Sequence, residues 1–125
     1  MKVTLTPLFA KHLQNFPKAD RQKILAFINH VEQFGLNNLA GRNKSSDNAP
    51  TNHPSWLNYV NYAKMHRLWH YHIGIPDYQG ELGDLTSEYI LHYIRNEDEI
   101  ILVDLSSHPP FALPLPHYLP IQEDL

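Results

Sequence analysis

Alternation of bulky apolar and polar residues from Leu68 to Ile75 constrains the fold more than any other feature of the chain. Four bulky apolar side chains share one face of a strand with a period of two: Trp69, Tyr71, Ile73 and Ile75. His70 and His72 share the opposite face, one strand repeat apart. One face therefore belongs in a core, and the other presents two imidazoles.

The length and composition of the chain limit the classes of protein it can be. With 125 residues it is expected to form a single domain over residues 1–125 around one core. It has no cysteine, which removes disulfides and thiolate sites, and its net charge of -3 argues against broad non-specific nucleic-acid binding. We find neither a membrane-length apolar run nor a signal-peptide pattern, so a soluble, cytoplasmic protein without a membrane partner is expected.

The first third of the chain predicts a strand followed by two helices. Residues 2–5 read as a short strand, and Thr6 is the expected cap of a helix whose first residue is Pro7. The second, longer helix is expected to begin at a cap, Asp20, and to end at Gly35.

Polar segments flank the remaining predicted elements. Residues 36–54 lose periodicity and predict a long polar loop, after which Ser55 is the expected cap of a short third helix. The proline-rich tail, residues 109–125, is expected to run extended over the surface. Four apolar side chains are expected to pin it: Phe111, Leu113, Leu115 and Tyr118.

Two further strands, near residues 88–95 and 100–105, complete an antiparallel meander with the strand at 68–75. The first strand is expected to join the edge of this meander. The predicted fold is therefore α+β, with a small antiparallel sheet of about four strands and two N-terminal helices packed on one face. The opposite face, which carries the histidines, is expected to be an open, concave platform.

Pairing of these strands brings His92 toward His70 and His72, with Arg67 and Arg95 near the strand ends. Three interpretations of this cluster stay open. The imidazoles serve as acid and base in a metal-free cleavage of RNA, with an arginine neutralising the phosphorane. Alternatively, they bind a divalent metal, with Glu88 or Asp104 as a fourth ligand, or they are exposed polar residues without chemistry.

Three segments resemble the RelE/ParE superfamily of bacterial type II toxins. The segment WHYHI at 69–73 is similar to the family's central strand, and SEYILHY at 87–93 to its Asp-Tyr-Arg-x-x-Tyr strand. The segment IILVDLSSH at 100–108 is similar to its last strand and Gly-His-Arg turn. The resemblance spans nearly the whole predicted fold, and the first two segments are closest to a ParE-like toxin subfamily.

The resemblance implies a site on the histidine-bearing face. His70 and His72 stand where ribosome-dependent members have lysines, and Ile90 stands at the catalytic arginine position, so Arg67 or Arg95 would have to replace that arginine. The implied catalytic residues are His70, His72, His92, Arg67, Arg95 and His108. Apart from the resemblance, Arg42 and Lys44 are cations of the polar loop that could contact an anionic partner, and the candidate substrate-binding residues are Arg42, Lys44, Lys64 and Tyr71. Neither a metal nor another cofactor is expected.

The leading hypothesis is a toxin that cleaves mRNA, with the ribosome as the expected setting, and that a cognate antitoxin neutralises. The alternative keeps the fold and predicts a ParE-like inhibitor that binds DNA gyrase without catalysis. A third hypothesis is a small metal-binding enzyme with histidine ligands.

Overall fold

The structure, a computed structural model, describes residues 1–47, 56–108 and 112–120. Three helices lie in these residues: α1 (Pro7–Leu13), α2 (Lys18–Phe34) and α3 (Trp56–Met65). Five strands accompany them: β1 (Lys2–Leu5), β2 (Asn43–Ser45), β3 (Leu68–Ile75), β4 (Tyr89–Arg95) and β5 (Glu99–Ser107). A short 3-10 helix, Pro116–Tyr118, follows. The elements form the predicted α+β arrangement. None of the described helices combines the length and the apolar character that crossing a membrane requires.

The strands form one mixed sheet in the order β1-β5-β4-β3-β2. β3, β4 and β5 make the predicted antiparallel meander, and β1 joins its edge in parallel with β5. The described sheet has five strands, so the prediction of about four was one too few. The extra strand, β2, lies within the segment predicted as a loop and pairs antiparallel with β3. Its backbone bonds to the edge of β3, which requires no apolar alternation in β2 itself.

Local sequence signals explain where the two N-terminal helices begin and end. The Thr6 hydroxyl accepts a hydrogen bond of 3.1 Å from the amide of Phe9, which confirms Thr6 as a cap. Gly35 ends α2 with a φ of 69°, as predicted. The predicted cap at Asp20 was wrong, because α2 starts at Lys18, after Pro17, and Asp20 lies in its first turn. The fixed φ of a proline already suits a helix start.

α1 and α2 cover one face of the sheet, as predicted, and form the larger core with it. Tyr71 and Ile73 are buried on this face, and Trp69 packs against the same core. The ring of Phe27 from α2 stacks on Tyr71 with 4.8 Å between ring centroids. The alternation in β3 therefore correctly predicts which side chains face the two helices.

The opposite face of the sheet is also covered, which corrects the prediction of an open platform. Ala63 of α3 and Leu119 of the tail pack against Leu68 and further apolar residues in a second, smaller core. His92 is completely buried and His72 is only 4% exposed. Both faces of the sheet are therefore packed, and the histidines lie mostly in its interior.

The described part of the tail, residues 112–120, departs from the predicted extended course at its 3-10 helix. Leu113 packs against the second core and Tyr118 is half-buried, as expected of anchoring residues. Leu115 is exposed, so its predicted anchoring role was wrong, and Leu119 is buried instead. The remaining predicted anchor, Phe111, and the predicted helix cap, Ser55, lie outside the described residues.

Candidate functional site

A bulge in β3 shapes the region that carries the histidines. The pairing of β3 with β4 shifts between His72 and Ile75, and Gly74 has a φ of 79°. The amide of Gly74 donates to the Ser87 hydroxyl at 3.1 Å. The Lys23 ammonium donates to the carbonyl of Gly74 at 2.6 Å, so α2 also holds the bulge. His72 is the last residue of β3 in regular register with β4 before this bulge.

Four imidazoles gather on this face: His70, His72, His92 and His108, called here the histidine cluster. His70 and His92 are direct partners in the β3–β4 register. The ring centroids of His70 and His72 are 6.1 Å apart, and those of His72 and His108 are 5.8 Å apart. The predicted convergence of His92 with the two β3 histidines is confirmed, and His108 joins them.

Two members of the histidine cluster bond to serine hydroxyls within the protein. His70 Nδ1 lies 2.9 Å from the Ser46 hydroxyl oxygen, and His92 Nε2 lies 2.7 Å from that of Ser106. Such bonds satisfy buried polar groups and fix the orientation of the rings. His70 and His92 therefore hold the strands together from within the sheet face.

His72 is held by the backbone of a single residue. Its Nδ1 lies 2.9 Å from the carbonyl oxygen and 3.0 Å from the amide nitrogen of Ser87. One tautomer donates to the carbonyl, and the other accepts from the amide. In both cases Nδ1 is engaged, and the tautomer that donates to the carbonyl is the one whose Nε2 has the lone pair that a base needs.

Burial favours the neutral form of His70, His72 and His92 near pH 7. It is the largest cause that lowers the pKa of His70 to about 4 and that of His92 to about 3, and neighbouring imidazoles add repulsion. Burial also lowers the pKa of His72, while the bond to Ser87 opposes that change. A neutral imidazole is able to accept a proton, so His72 is suited to act as a base.

His72 and His108 line a cleft of about 460 Å³ between the end of the sheet and the loop after β3. A cleft of this volume lies in the range of small-ligand sites. Its other ionisable side chains are Arg42, Asp77 and Glu88. The histidine-bearing face therefore opens to solvent at one end, next to an arginine.

Arg42 is bound at the cleft by an exposed carboxylate. Its Nε and a terminal nitrogen donate to the two Asp84 oxygens at 2.8 and 3.0 Å, in a bidentate pair. The hydrogen bond that Arg42 donates to Asp84 is the largest cause that raises the pKa of Arg42, and the same bond lowers the pKa of Asp84. The guanidinium thus already binds a planar anionic group.

The structure places six of the predicted site residues together. These are the four members of the histidine cluster with Arg42 and Lys44. Lys44 of β2 is the direct register partner of His70, and its charge contributes to lowering the pKa of His70. Two cations from the polar segment at 36–54 therefore lie beside the imidazoles.

The other four predicted site residues lie elsewhere. Tyr71 is buried on the helix-covered face, and the Arg95 guanidinium lies on that face, 4.4 Å from the centroid of the Trp69 ring. Lys64 is exposed in the last turn of α3, and Arg67 is exposed just before β3 begins. Arg67 and Arg95 were expected to replace the family's catalytic arginine, whose position Ile90 occupies. Neither of them lines the cleft, whereas Arg42 does.

Several cleft residues were not predicted from the sequence. Thr86, Ser87 and Gln79 line the cleft, and Asp84 binds Arg42. Gln79 and Thr86 exchange two backbone hydrogen bonds of 2.9 and 2.8 Å, which fold the loop back on itself. The polar composition of residues 77–86 indicates a loop, but it contains no motif that would place that loop against Arg42.

The predicted metal-binding set is not formed. Among the side chains that the structure describes, no group of three or more His, Asp or Glu is arranged to hold a metal ion. The three imidazoles on β3 and β4 bond to protein groups instead. Comparison of the chain with family models, with curated proteins and with solved structures found no match.

Proposed function

We propose that this chain is a metal-independent ribonuclease that acts as the toxin of a type II toxin–antitoxin pair. One observation carries the proposal: two imidazoles, those of His72 and His108, lie 5.8 Å apart and line one cleft with the guanidinium of Arg42. Cleavage of RNA through its 2′-hydroxyl needs a base, an acid and a cation for the phosphorane. The cleft offers a candidate for each role.

The proposed reaction follows from the positions and charges of these groups. His72, whose pKa is lowered by burial, takes the proton of the 2′-hydroxyl. The 2′-oxygen attacks phosphorus, and the bond from phosphorus to the 5′-oxygen breaks. His108 in its protonated form gives a proton to that leaving oxygen, which leaves a 2′,3′-cyclic phosphate and a 5′-hydroxyl. Arg42 neutralises the charge that develops on the phosphorane.

Membership of the RelE/ParE superfamily is part of the same proposal. Its support is the element order on which the resemblance depends: a strand, two helices and a meander whose last strand lies beside the first. The partner implied is an antitoxin that covers the cleft, and the substrate implied is mRNA on the ribosome.

Cleavage of RNA by the purified chain, with and without ribosomes, tests the proposal. His72→Ala and His108→Ala should each lower the rate by roughly a hundredfold, since each removes one proton-transfer group. His117→Ala is the matched control, because His117 is an exposed histidine of the 3-10 helix. Full cleavage by both cleft variants would refute the site, and a wild-type chain that leaves mRNA intact in both assays would refute the ribonuclease function.

A second candidate function is inhibition of DNA gyrase by binding. Ile90 favours it, because this side chain is completely buried where the resemblance places a catalytic arginine. Expression of the chain in bacteria separates the two functions. Double-strand DNA breaks with intact mRNA indicate gyrase, and shortened mRNA with intact DNA indicates the ribonuclease.

A further inference from the structure

We infer that Tyr78 is a positioning residue that fixes Arg42 relative to His72, an inference that rests on the proposed function of the cleft. Tyr78 belongs to the loop after β3 and is half-buried. It does not line the cleft that holds these two side chains. Instead, the hydroxyl and the ring of Tyr78 contact the two backbone segments that carry Arg42 and His72.

The backbone pairing of Arg42 and His72 lacks one of the two bonds that such a pair can exchange. The amide of His72 donates to the carbonyl of Arg42 at 2.9 Å, which supplies the first bond. The amide of Arg42 donates to Leu85 instead, at 2.8 Å. The carbonyl of His72 therefore needs another donor, and the Tyr78 hydroxyl supplies it at 2.8 Å.

A chain of hydrogen bonds continues from Tyr78 to the residue before Arg42. The amide of Gly41 donates to the Tyr71 hydroxyl at 3.1 Å, and the two phenol oxygens, of Tyr71 and Tyr78, are 2.8 Å apart. Because the Tyr78 hydrogen goes to His72, Tyr71 donates between the phenols. Each hydroxyl thus donates once and accepts once, and bonds in such a chain strengthen one another.

The Tyr78 ring also fills the space that two glycines leave open. A Cβ at Gly74 would lie 2.7 Å from Cε2 of the ring, and a Cβ at Gly41 would lie 3.0 Å from Cε1. The ring therefore packs between the β3 bulge and the segment that leads into β2. Burial, followed by the bond with Tyr71, raises the pKa of Tyr78, so the hydroxyl keeps the proton that it donates.

Tyr78→Phe keeps the ring between the glycines and removes the hydroxyl that joins His72 to Tyr71. Small displacements of catalytic groups have large effects on rate, so kcat/KM for an RNA oligonucleotide should fall roughly tenfold to a hundredfold. The second readout is the pKa of His72, followed by NMR. Arg42 and His108 lower this pKa and Asp84 raises it. It should rise in the variant as the guanidinium moves away.

Tyr62→Phe is the matched control, because it also removes one phenol hydrogen bond, that of 2.7 Å to the carbonyl of Pro114. It should change kcat/KM by less than twofold and leave the His72 titration unaltered. Tyr71→Phe breaks the same chain at Gly41 and should shift both readouts in the direction of Tyr78→Phe. It provides the test if Tyr78→Phe does not fold.

Unchanged kinetics and an unchanged His72 titration in Tyr78→Phe would overturn the inference, as would equal effects in Tyr62→Phe. A wild-type chain that cleaves no RNA would refute the proposed function alone. In that case the His72 titration, which needs no substrate, still decides whether Tyr78 sets the position of Arg42.

Discussion

Histidines on one face of one sheet take two different roles in this protein. His92 is buried and bonded to Ser106, so its lowered pKa reflects the interior position. His72 lies two residues beyond the register partner of His92, yet it reaches the cleft beside Arg42. Proximity to the bulge and to a cation, rather than residue type, therefore distinguishes the candidate catalytic imidazole from the structural one.

The alternation that identifies the histidine face also carries information about the arginines. Arg95 has the same parity as Leu91 and Tyr93, which face the helices, so the period of two places it on that side. Arg42 carries no such signal, because its partner Asp84 lies 42 residues away in a loop. The face on which Arg95 lies could be predicted from the sequence, whereas the position of Arg42 depends on its tertiary contact with Asp84.

Asp84 occupies the hydrogen-bonding edge of Arg42 that a phosphate would use. Asp84→Asn should therefore strengthen binding of a single-stranded RNA oligonucleotide several-fold, because the competing anion is removed. The salt dependence should also steepen by about one ion, as expected when one more cation meets a phosphate. Fluorescence anisotropy at several salt concentrations measures both effects.

Glu97→Gln is the control for the charge change in this measurement. Glu97 is an exposed carboxylate in the connection between β4 and β5, and its loss alters the net charge equally. Binding that is weaker in Asp84→Asn than in Glu97→Gln would show instead that Asp84 holds Arg42 ready for the ligand.

The bulge in β3 and the short edge strand β2 are the elements that build the cleft. The apolar pattern predicted β3, β4 and β5 and their order, because those strands contribute to the cores. β2 has three residues, Asn-Lys-Ser, and none is apolar. Its formation depends on backbone bonding to β3, which periodicity does not report. Periodicity does not report the bulge either, because the hydrogen bonds that stabilise it come from Lys23 and Ser87.

Gly41 tests how closely the segment before β2 approaches β3. A Cβ at this position would overlap the carbonyl oxygen of His72, a backbone atom that has no rotamer to relieve the contact. Gly41→Ala should therefore lower the free energy of unfolding by about 3 kcal/mol or more, as severe overpacking does. Urea denaturation followed by circular dichroism measures this change.

Gly83→Ala separates steric overlap from backbone strain. Gly83 has a φ of 89° and no atom within 4 Å of a built Cβ, so alanine there costs only the left-handed conformation, about 1 to 2 kcal/mol. Similar losses of unfolding free energy in Gly41→Ala and Gly83→Ala would mean that the segment before β2 moves away from β3 at little cost. Its close approach to His72 would then not constrain the cleft.

At the scale of the whole molecule, the sheet carries a core on each face, and the histidine cluster lies within the second packed face. The sequence pattern predicts the first core, since α1 and α2 have apolar stripes. The second depends on α3, which directly precedes β3, and on Leu119, which reaches the sheet from the distant tail. Packing of this second face buries imidazoles in their neutral form. The stability of the fold therefore depends on pH.

Acid should destabilise the fold through the histidines whose pKa burial lowers, with His70 as the group to test. Its folded pKa is about 4, below the ordinary value of 6.5, so between these values the unfolded chain binds a proton that the folded chain does not. The free energy of unfolding therefore falls as pH drops below about 6.5, by on the order of 2 kcal/mol at pH 5 from this group. His70→Gln should reduce the loss between pH 7.5 and pH 5, measured by urea denaturation, whereas His117→Gln, which replaces an exposed imidazole, should retain it. Equal losses in both variants would place the acid sensitivity outside His70.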